Sequence, residues 1–216
     1  RYAGTGELAS TIIQEGASSP ADVFYAQDPA FIGAVALEGL LQPLPAEVLG
    51  LVPDHLSDDD GLWVGVTART RVVVVNPDLT SDDQLPETIW EVVDPAWKGR
   101  VGVAPTNGSF VAFVSAFILA EGEEKTREWL EGLAANEPVI FEGNSPIVAA
   151  VNGGEIAIGL ANHYYLLRII DEAGSATAVN HSVLSGDPGS LVMPTGAGIL
   201  ASAANTDEAI EFIEFL

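Results

Sequence analysis

The chain has 216 residues, 8 Lys and Arg against 31 Asp and Glu, a formal charge of −23, and no Cys. At 48% hydrophobic it can bury a sizeable core, as one large domain or two small ones at about 150 residues per domain, and intrinsic disorder is excluded. The charge excludes nucleic acid and anionic membrane surfaces as partners, and the missing Cys excludes a disulfide framework and a thiolate metal site. A Cys-free chain tolerates an oxidising compartment. Lys stands only at Lys98 and Lys125, while acids run along the whole chain. A solubilising surface and an adaptation to high salt both fit this, and composition does not separate them.

The chain opens at Arg1 in what reads as the end of a strand. A helix is predicted at 7–15, and its mouth, Gly4-Thr5-Gly6-Glu7-Leu8-Ala9, fits the dinucleotide pattern G-x-G-x-x-A, with Asp28 further on. Only Arg1-Tyr2-Ala3 precede it, so a tight turn lining a small-ligand cleft suits it better than a dinucleotide site. A strand follows at 22–25 and a helix at 30–39. His55 then lies in an acidic loop, where Asp58-Asp59-Asp60-Gly61 resembles half a calcium loop without its closing Glu and reads as a solvated turn.

Strands are predicted at 63–67 and 71–76. The second holds four consecutive Val after Arg71 and stops at Asn76-Pro77-Asp78, as a strand buried on both faces does. The next strand, 100–104, runs into Thr106-Asn107-Gly108-Ser109 and a helix at 109–120. This loop offers hydroxyls, an amide and free N–H groups at a helix start, which suits an oxyanion and equally an ordinary N-cap. The longest apolar stretch, 110–120, is shorter than the about 20 residues a membrane span needs. A helix at 123–135, a strand at 139–141, a helix at 146–152 and a strand at 156–160 follow.

Asn162-His163-Tyr164-Tyr165 comes directly after that strand, at a C-terminal end where α/β clefts form. Two adjacent phenols there are hard oxygen donors that match a hard cation such as Fe³⁺, or they simply pack. The helix at 163–173 stops at Gly174, and His181 lies in a polar connection. A second break, Ser185-Gly186-Asp187-Pro188-Gly189-Ser190, pairs with the one after Val75 as two crossings of a chain that leaves one lobe and returns. The last helix, 207–216, starts behind Thr206 and ends inside an amphipathic pattern (Ile210, Phe212, Ile213, Leu216), so the chain reads as an internal piece of a longer protein. Strands alternating with helices of this size predict an α/β fold with largely parallel sheets. No His-Glu-x-x-His or Gly-x-Ser-x-Gly supports a hydrolase.

Along almost its whole length, and in order, the chain resembles the ferric-iron-binding proteins of bacterial ABC importers, in the class II periplasmic binding protein superfamily. The resemblance is carried by Pro20-Ala21-Asp22-Val23-Phe24-Tyr25, Arg69-Thr70-Arg71-Val72-Val73-Val74, and Pro95-Ala96-Trp97-Lys98-Gly99-Arg100-Val101-Gly102. It continues in Thr106-Asn107-Gly108-Ser109-Phe110, Asn162-His163-Tyr164-Tyr165 and Asp187-Pro188-Gly189-Ser190-Leu191-Val192. It implies a two-lobed α/β fold with hinge strands: lobe 1 from 1–70, lobe 2 from 71–189, and a return to lobe 1 over 190–216. Tyr164 and Tyr165 are the implied Fe³⁺ ligands. Asn107, Gly108 and Ser109 form the implied loop for a synergistic phosphate or carbonate, with Asn144 and Asn162 as amide donors and Arg69 or Arg71 on the anion.

Where many members of the family carry a Glu ligand, this chain has Gln27, a poorer donor for Fe³⁺. The family's first strand and closing helices would lie before Arg1 and after Leu216, so these residues alone are expected to bind iron incompletely or to fold poorly. The implied function is capture of ferric iron between the lobes and its delivery to an ABC permease. The expected setting is the periplasm or the outer cell surface, with a monomer and no chemical turnover. Three alternatives remain: the same fold holding a phosphonate, a polyamine or thiamine; an α/β enzyme using His163 and nearby carboxylates as acid and base; and a surface receptor or adhesive domain, which needs a large exposed apolar patch.

Overall fold

The computed structural model describes residues 1–216. Its N-terminal part contains α1 (Thr5–Glu15), β1 (Val23–Ala26), α2 (Pro29–Leu37), β2 (Leu41–Gln42), α3 (Ala46–Leu49) and β3 (Val64–Val75). Then come β4 (Val101–Val103), α4 (Gly108–Glu121), α5 (Glu123–Ala135), β5 (Val139–Ile140) and α6 (Asn144–Asn152). The chain ends with β6 (Ile158–Asn162), α7 (Tyr164–Ala173), β7 (Val179–His181), β8 (Val192–Leu200) and α8 (Thr206–Phe215). No helix is long and apolar enough to cross a membrane.

Two compact units result, one of Arg1–Ala68 with Met193–Leu216, the other of Arg69–Val192. The chain passes between them inside strands, at residues 68–69 of β3 and 192–193 of β8. The expected pair of strands at 63–67 and 71–76 is therefore one strand. Its polar middle, Thr67-Ala68-Arg69-Thr70, reads as a break only because it is not buried like Val72, Val73, Val74 and Val75.

In the first unit β8 lies between β1 and β3 and also carries β2, with β1 and β2 both antiparallel to it. Sequence reading missed β8 because Pro194, Gly196 and Gly198 interrupt it. Packing accounts for Gly198: a Cβ there would stand 2.9 Å from the Leu62 carbonyl. Ile32, Val35, Phe24 and Leu200 fill one core of this unit, and Val48, Val64, Ile199 and Ile213 another.

The second unit orders its strands β7-β3-β6-β4-β5. Here β4 is parallel to both β5 and β6, while β3 is antiparallel to β6 and β7. The sheets are thus mixed, which corrects the expectation of largely parallel ones. Only the β4-to-β6 stretch, with its intervening helices, is built from crossover connections. Phe113, Phe117 and Trp129 pack ring against ring under α4 and α5, and the Trp129 indole N–H donates to the Ile89 carbonyl at 2.8 Å. Gly102 and Gly159 are register partners under α6. A Cβ on Gly102 would stand 2.5 Å from Ile156, and one on Gly159 would overlap Ile147, so two bare backbones let α6 lie close on the sheet.

Candidate functional site

Because β4, β5 and β6 are parallel, their C-terminal ends lie along one edge of the second unit's sheet. Each end leads into a helix, α4 after β4, α6 after β5 and α7 after β6. Antiparallel pairing sets Arg71 opposite Asn162, so β3 enters the second unit at the same edge. Three helix N-termini therefore meet one arginine. Asn107 caps α4 by accepting from the Ser109 N–H at 3.0 Å, whereas no side chain caps α6 or α7. Free N–H groups and the positive ends of helix dipoles make such an edge attractive to an anion.

Arg71 is 4% exposed. Its Nη1 donates to Asn144 Oδ1 and Asn162 Oδ1, both at 3.2 Å, and to Ser109 Oγ at 3.5 Å, while Nη2 donates to the Leu160 carbonyl at 3.0 Å. The guanidinium also faces the rings of Phe113 and Phe110, at 5.5 and 6.0 Å from their centroids. None of the chain's ion pairs includes it. Burial first, then repulsion from Arg69, lower its pKa to about 10, against the pull of Tyr165 and Tyr164. It is thus a buried cation at neutral pH, held by neutral partners alone.

Those partners are themselves linked. Asn144 Nδ2 donates to Ser109 Oγ at 3.0 Å and to Asn107 Oδ1 at 3.3 Å, and Ser109 Oγ donates to Asn107 Oδ1 at 2.7 Å. Arg71, Asn107, Ser109, Asn144 and Asn162 thereby form one cluster, with Gly108 the first residue of α4 beside it. The oxygens of Asn144 and Asn162 face the guanidinium, so the Asn162 amide nitrogen is left to donate elsewhere.

Tyr164 and Tyr165 open α7, with stacked rings 4.4 Å apart at 28°. Burial, then the adjacent Tyr164 hydroxyl, raise the Tyr165 phenol above its ordinary value, while a hydrogen bond with Asn144 and the charge of Arg168 act the other way. The Asn144 contact joins the phenol pair to the arginine cluster. Arg168, one turn further along α7, stands beside the ring pair, 5.4 Å from the Tyr164 centroid and 5.6 Å from that of Tyr165. Sequence reading passed over Arg168. Its signal is the spacing of three and four residues from the tyrosines, which a helix turns into a shared face.

Arg69, two residues before Arg71 on β3, is half-buried and acts on it through charge. Gln27 follows β1 in the first unit, exposed, just before Asp28, whose carboxylate caps α2. His163 Nδ1 accepts from the Thr70 N–H at 3.3 Å, and its backbone N–H donates to the Thr70 carbonyl. Its ring stands edge-on to Tyr164, so it braces the start of α7. His181 Nε2 meets the Pro86 carbonyl at 2.8 Å. Asp58 accepts the Leu62 N–H at 3.1 Å in a closed turn. The Gly4-Thr5-Gly6 stretch starts α1, and a Cβ on Gly6 would press on Phe31 at 3.0 Å, which accounts for that glycine by packing.

Residues 18–216 match the family described as bacterial extracellular solute-binding protein. A curated relative, the Fe(3+)-binding periplasmic protein of Serratia marcescens, is 36% identical over 220 residues, spanning 100% of this chain and 64% of its own length. The chain thus spans about two thirds of that relative. Among solved structures, iron-bound HitA from Pseudomonas aeruginosa is 39% identical with a TM-score of 0.89, covering 100% of this chain and 70% of its own. A Trichodesmium protein in complex with iron and citrate is 27% identical with a TM-score of 0.86, covering 99% and 70%.

Proposed function

This chain belongs to the bacterial extracellular solute-binding protein family, and from that premise we propose that it captures ferric iron together with a small oxyanion and hands it to an ABC permease. The observation that carries this reading is the phenol pair of Tyr164 and Tyr165 set beside a buried arginine with no counter-ion. Fe³⁺ is a hard cation, and tyrosinate is a hard anionic oxygen donor. A bound trivalent ion displaces the phenol protons, which burial otherwise retains on Tyr165. Arg71, the amides of Asn144 and Asn162, and the N-termini of α4, α6 and α7 supply the positive field for an anion that completes the shell. Asn107, Gly108 and Ser109 shape its floor.

Phosphate and carbonate carry the negative charge that the buried cation of this cluster favours. Citrate, bound with iron in the Trichodesmium protein, is the competing anion. Gln27, which the resemblance implies as a further donor, is neutral and weak. The reading is one of binding and delivery without turnover, in the periplasm or at the outer cell surface.

The test is equilibrium competition for ferric iron against a chelator of known affinity, with and without phosphate, at pH 8 and pH 6. Affinity is expected to rise on adding phosphate. It is expected to fall toward pH 6, by up to about tenfold per pH unit for each phenol proton displaced, after correction for the chelator. Affinity indifferent to both phosphate and pH would contradict the reading.

A further inference from the structure

We infer that the anion site of the second unit selects its occupant by proton count, taking an oxyanion that carries no proton, such as sulfate, over one that keeps a hydroxyl. The inference deepens the reading above and rests on it for the place of the anion; its own ground is the direction of the hydrogen bonds. A guanidinium only donates, so Arg71 obliges Asn144 and Asn162 to turn their amide oxygens inward. Ser109 Oγ accepts from Arg71 and from Asn144 Nδ2, which leaves its proton for Asn107 Oδ1. Asn107 Oδ1 also receives the Ser109 N–H, so that amide cannot turn round either. Every side-chain acceptor of the cluster is thereby turned inward.

What remains to face a ligand is donors. Asn162 is 1% exposed, and no acceptor stands against its Nδ2. The side-chain polar atoms sealed from solvent without a partner are Thr80 Oγ1 and Asn180 Oδ1, so Asn162 Nδ2 lies against an opening and not in the packed core. Asn107 Nδ2 is likewise unpaired. A Cβ on Gly143 would stand 3.7 Å from it, which places it between the starts of α4 and α6. The Gly108 N–H, first in its helix, has no acceptor, and a Cβ there would meet nothing within 4 Å, so a ligand atom has room beside it. A buried amide without an acceptor carries a cost that a bound oxygen removes.

No carboxylate is bonded to these residues; the nearest in sequence, Glu142, is exposed. The other charged or titratable groups at this edge are Arg69 on β3 and His163, Tyr164, Tyr165 and Arg168 at the start of α7, while α4 and α6 bring none. His163 Nδ1 is spent on the Thr70 N–H, and in the ferric reading the phenol oxygens are spent on the metal. A protonated oxygen set against this lining meets donor with donor and forfeits a hydrogen bond, worth about tenfold in affinity.

The experiment titrates the iron-free chain with sulfate and with phosphate at pH 7 by calorimetry, for the unaltered chain and for Asn107→Asp. At this pH every form of phosphate present keeps a proton, and sulfate has none. Asp caps a helix as well as Asn does, so the variant keeps the bond to the Ser109 N–H and sets a carboxylate oxygen where Nδ2 stood. The unaltered chain is expected to bind sulfate about tenfold more tightly than phosphate. Asn107→Asp is expected to reverse that order, because its carboxylate accepts the phosphate hydroxyl and repels sulfate. Phosphate bound as tightly as sulfate by the unaltered chain, or a sulfate-to-phosphate ratio that Asn107→Asp leaves unmoved, would overturn the inference. So would an unaltered chain that binds neither anion. Iron is absent from this titration, so each of these outcomes leaves the ferric reading to its own competition test.

Discussion

In the proposed site, Arg71 is the residue at which stability and function pull apart. Burial first, then repulsion from Arg69, lower its pKa from the ordinary arginine value to about 10, a cost of about 3 kcal/mol for keeping the charge inside. Its folded value lies below its unfolded one, so this cost is constant below about pH 10 and is relieved only as pH climbs above that toward the ordinary arginine value. At neutral pH the cation persists, and an arriving anion or tyrosinate finds a field already built. Lys in its place keeps the charge but cannot reach Ser109, Asn144, Asn162 and Leu160 together. Arg71→Lys is therefore expected to lose about 1–3 kcal/mol of stability and most of the phosphate dependence of iron binding. Denaturant melts and competition with and without phosphate check both halves; an unaltered phosphate dependence would sink this role. From sequence alone Arg71 was one of two candidates, together with Arg69. Strand alternation puts both on one face, and only the pairing of β3 with β6 sets Arg71 opposite Asn162.

At the scale of elements, the edge where α4, α6 and α7 begin depends on how closely α6 lies on the sheet. Gly102 and Gly159 provide that closeness, and Asn144, the first residue of α6, is carried to Arg71 by it. Gly159→Ala would drive a methyl group into Ile147 and tilt α6 outward. It is expected to cost about 1–3 kcal/mol and to weaken iron binding in phosphate more than without it. A variant equally stable and equally phosphate-responsive would show that α6 does not carry Asn144 as described. Elements with strong periodicity were legible: α4 and α5 were read within a residue or so of their ends, and α7 ends at Gly174 in the left-handed conformation, as its glycine announced. Elements made by partners were not. β8 is broken in sequence by proline and glycines that packing demands, β2 and β7 are two and three residues long, and α3 is a single turn. The phenol pair was ambiguous by spacing, since packing predicts the same two rings; its reading as a ligand pair came from the resemblance. Arg168 was invisible until the helix face was known.

For the molecule as a whole, a charge of −23 with no Asp or Glu among the buried residues leaves the carboxylates facing water. Such a field draws cations toward the chain and pushes free anions away, so an oxyanion needs the local positive field around Arg71 to stay. All the residues named for the phenol pair and the anion lie in the unit of Arg69–Val192. The central claim is that iron is held by the oxygens of Tyr164 and Tyr165. Its most direct test is the visible absorption spectrum of the chain with Fe³⁺ and phosphate, beside that of a Tyr164→Phe/Tyr165→Phe variant whose fold is verified by circular dichroism. A charge-transfer band in the unaltered chain that vanishes in the folded variant is the predicted result. A colourless unaltered chain, or a band that survives the loss of both phenols, would contradict it.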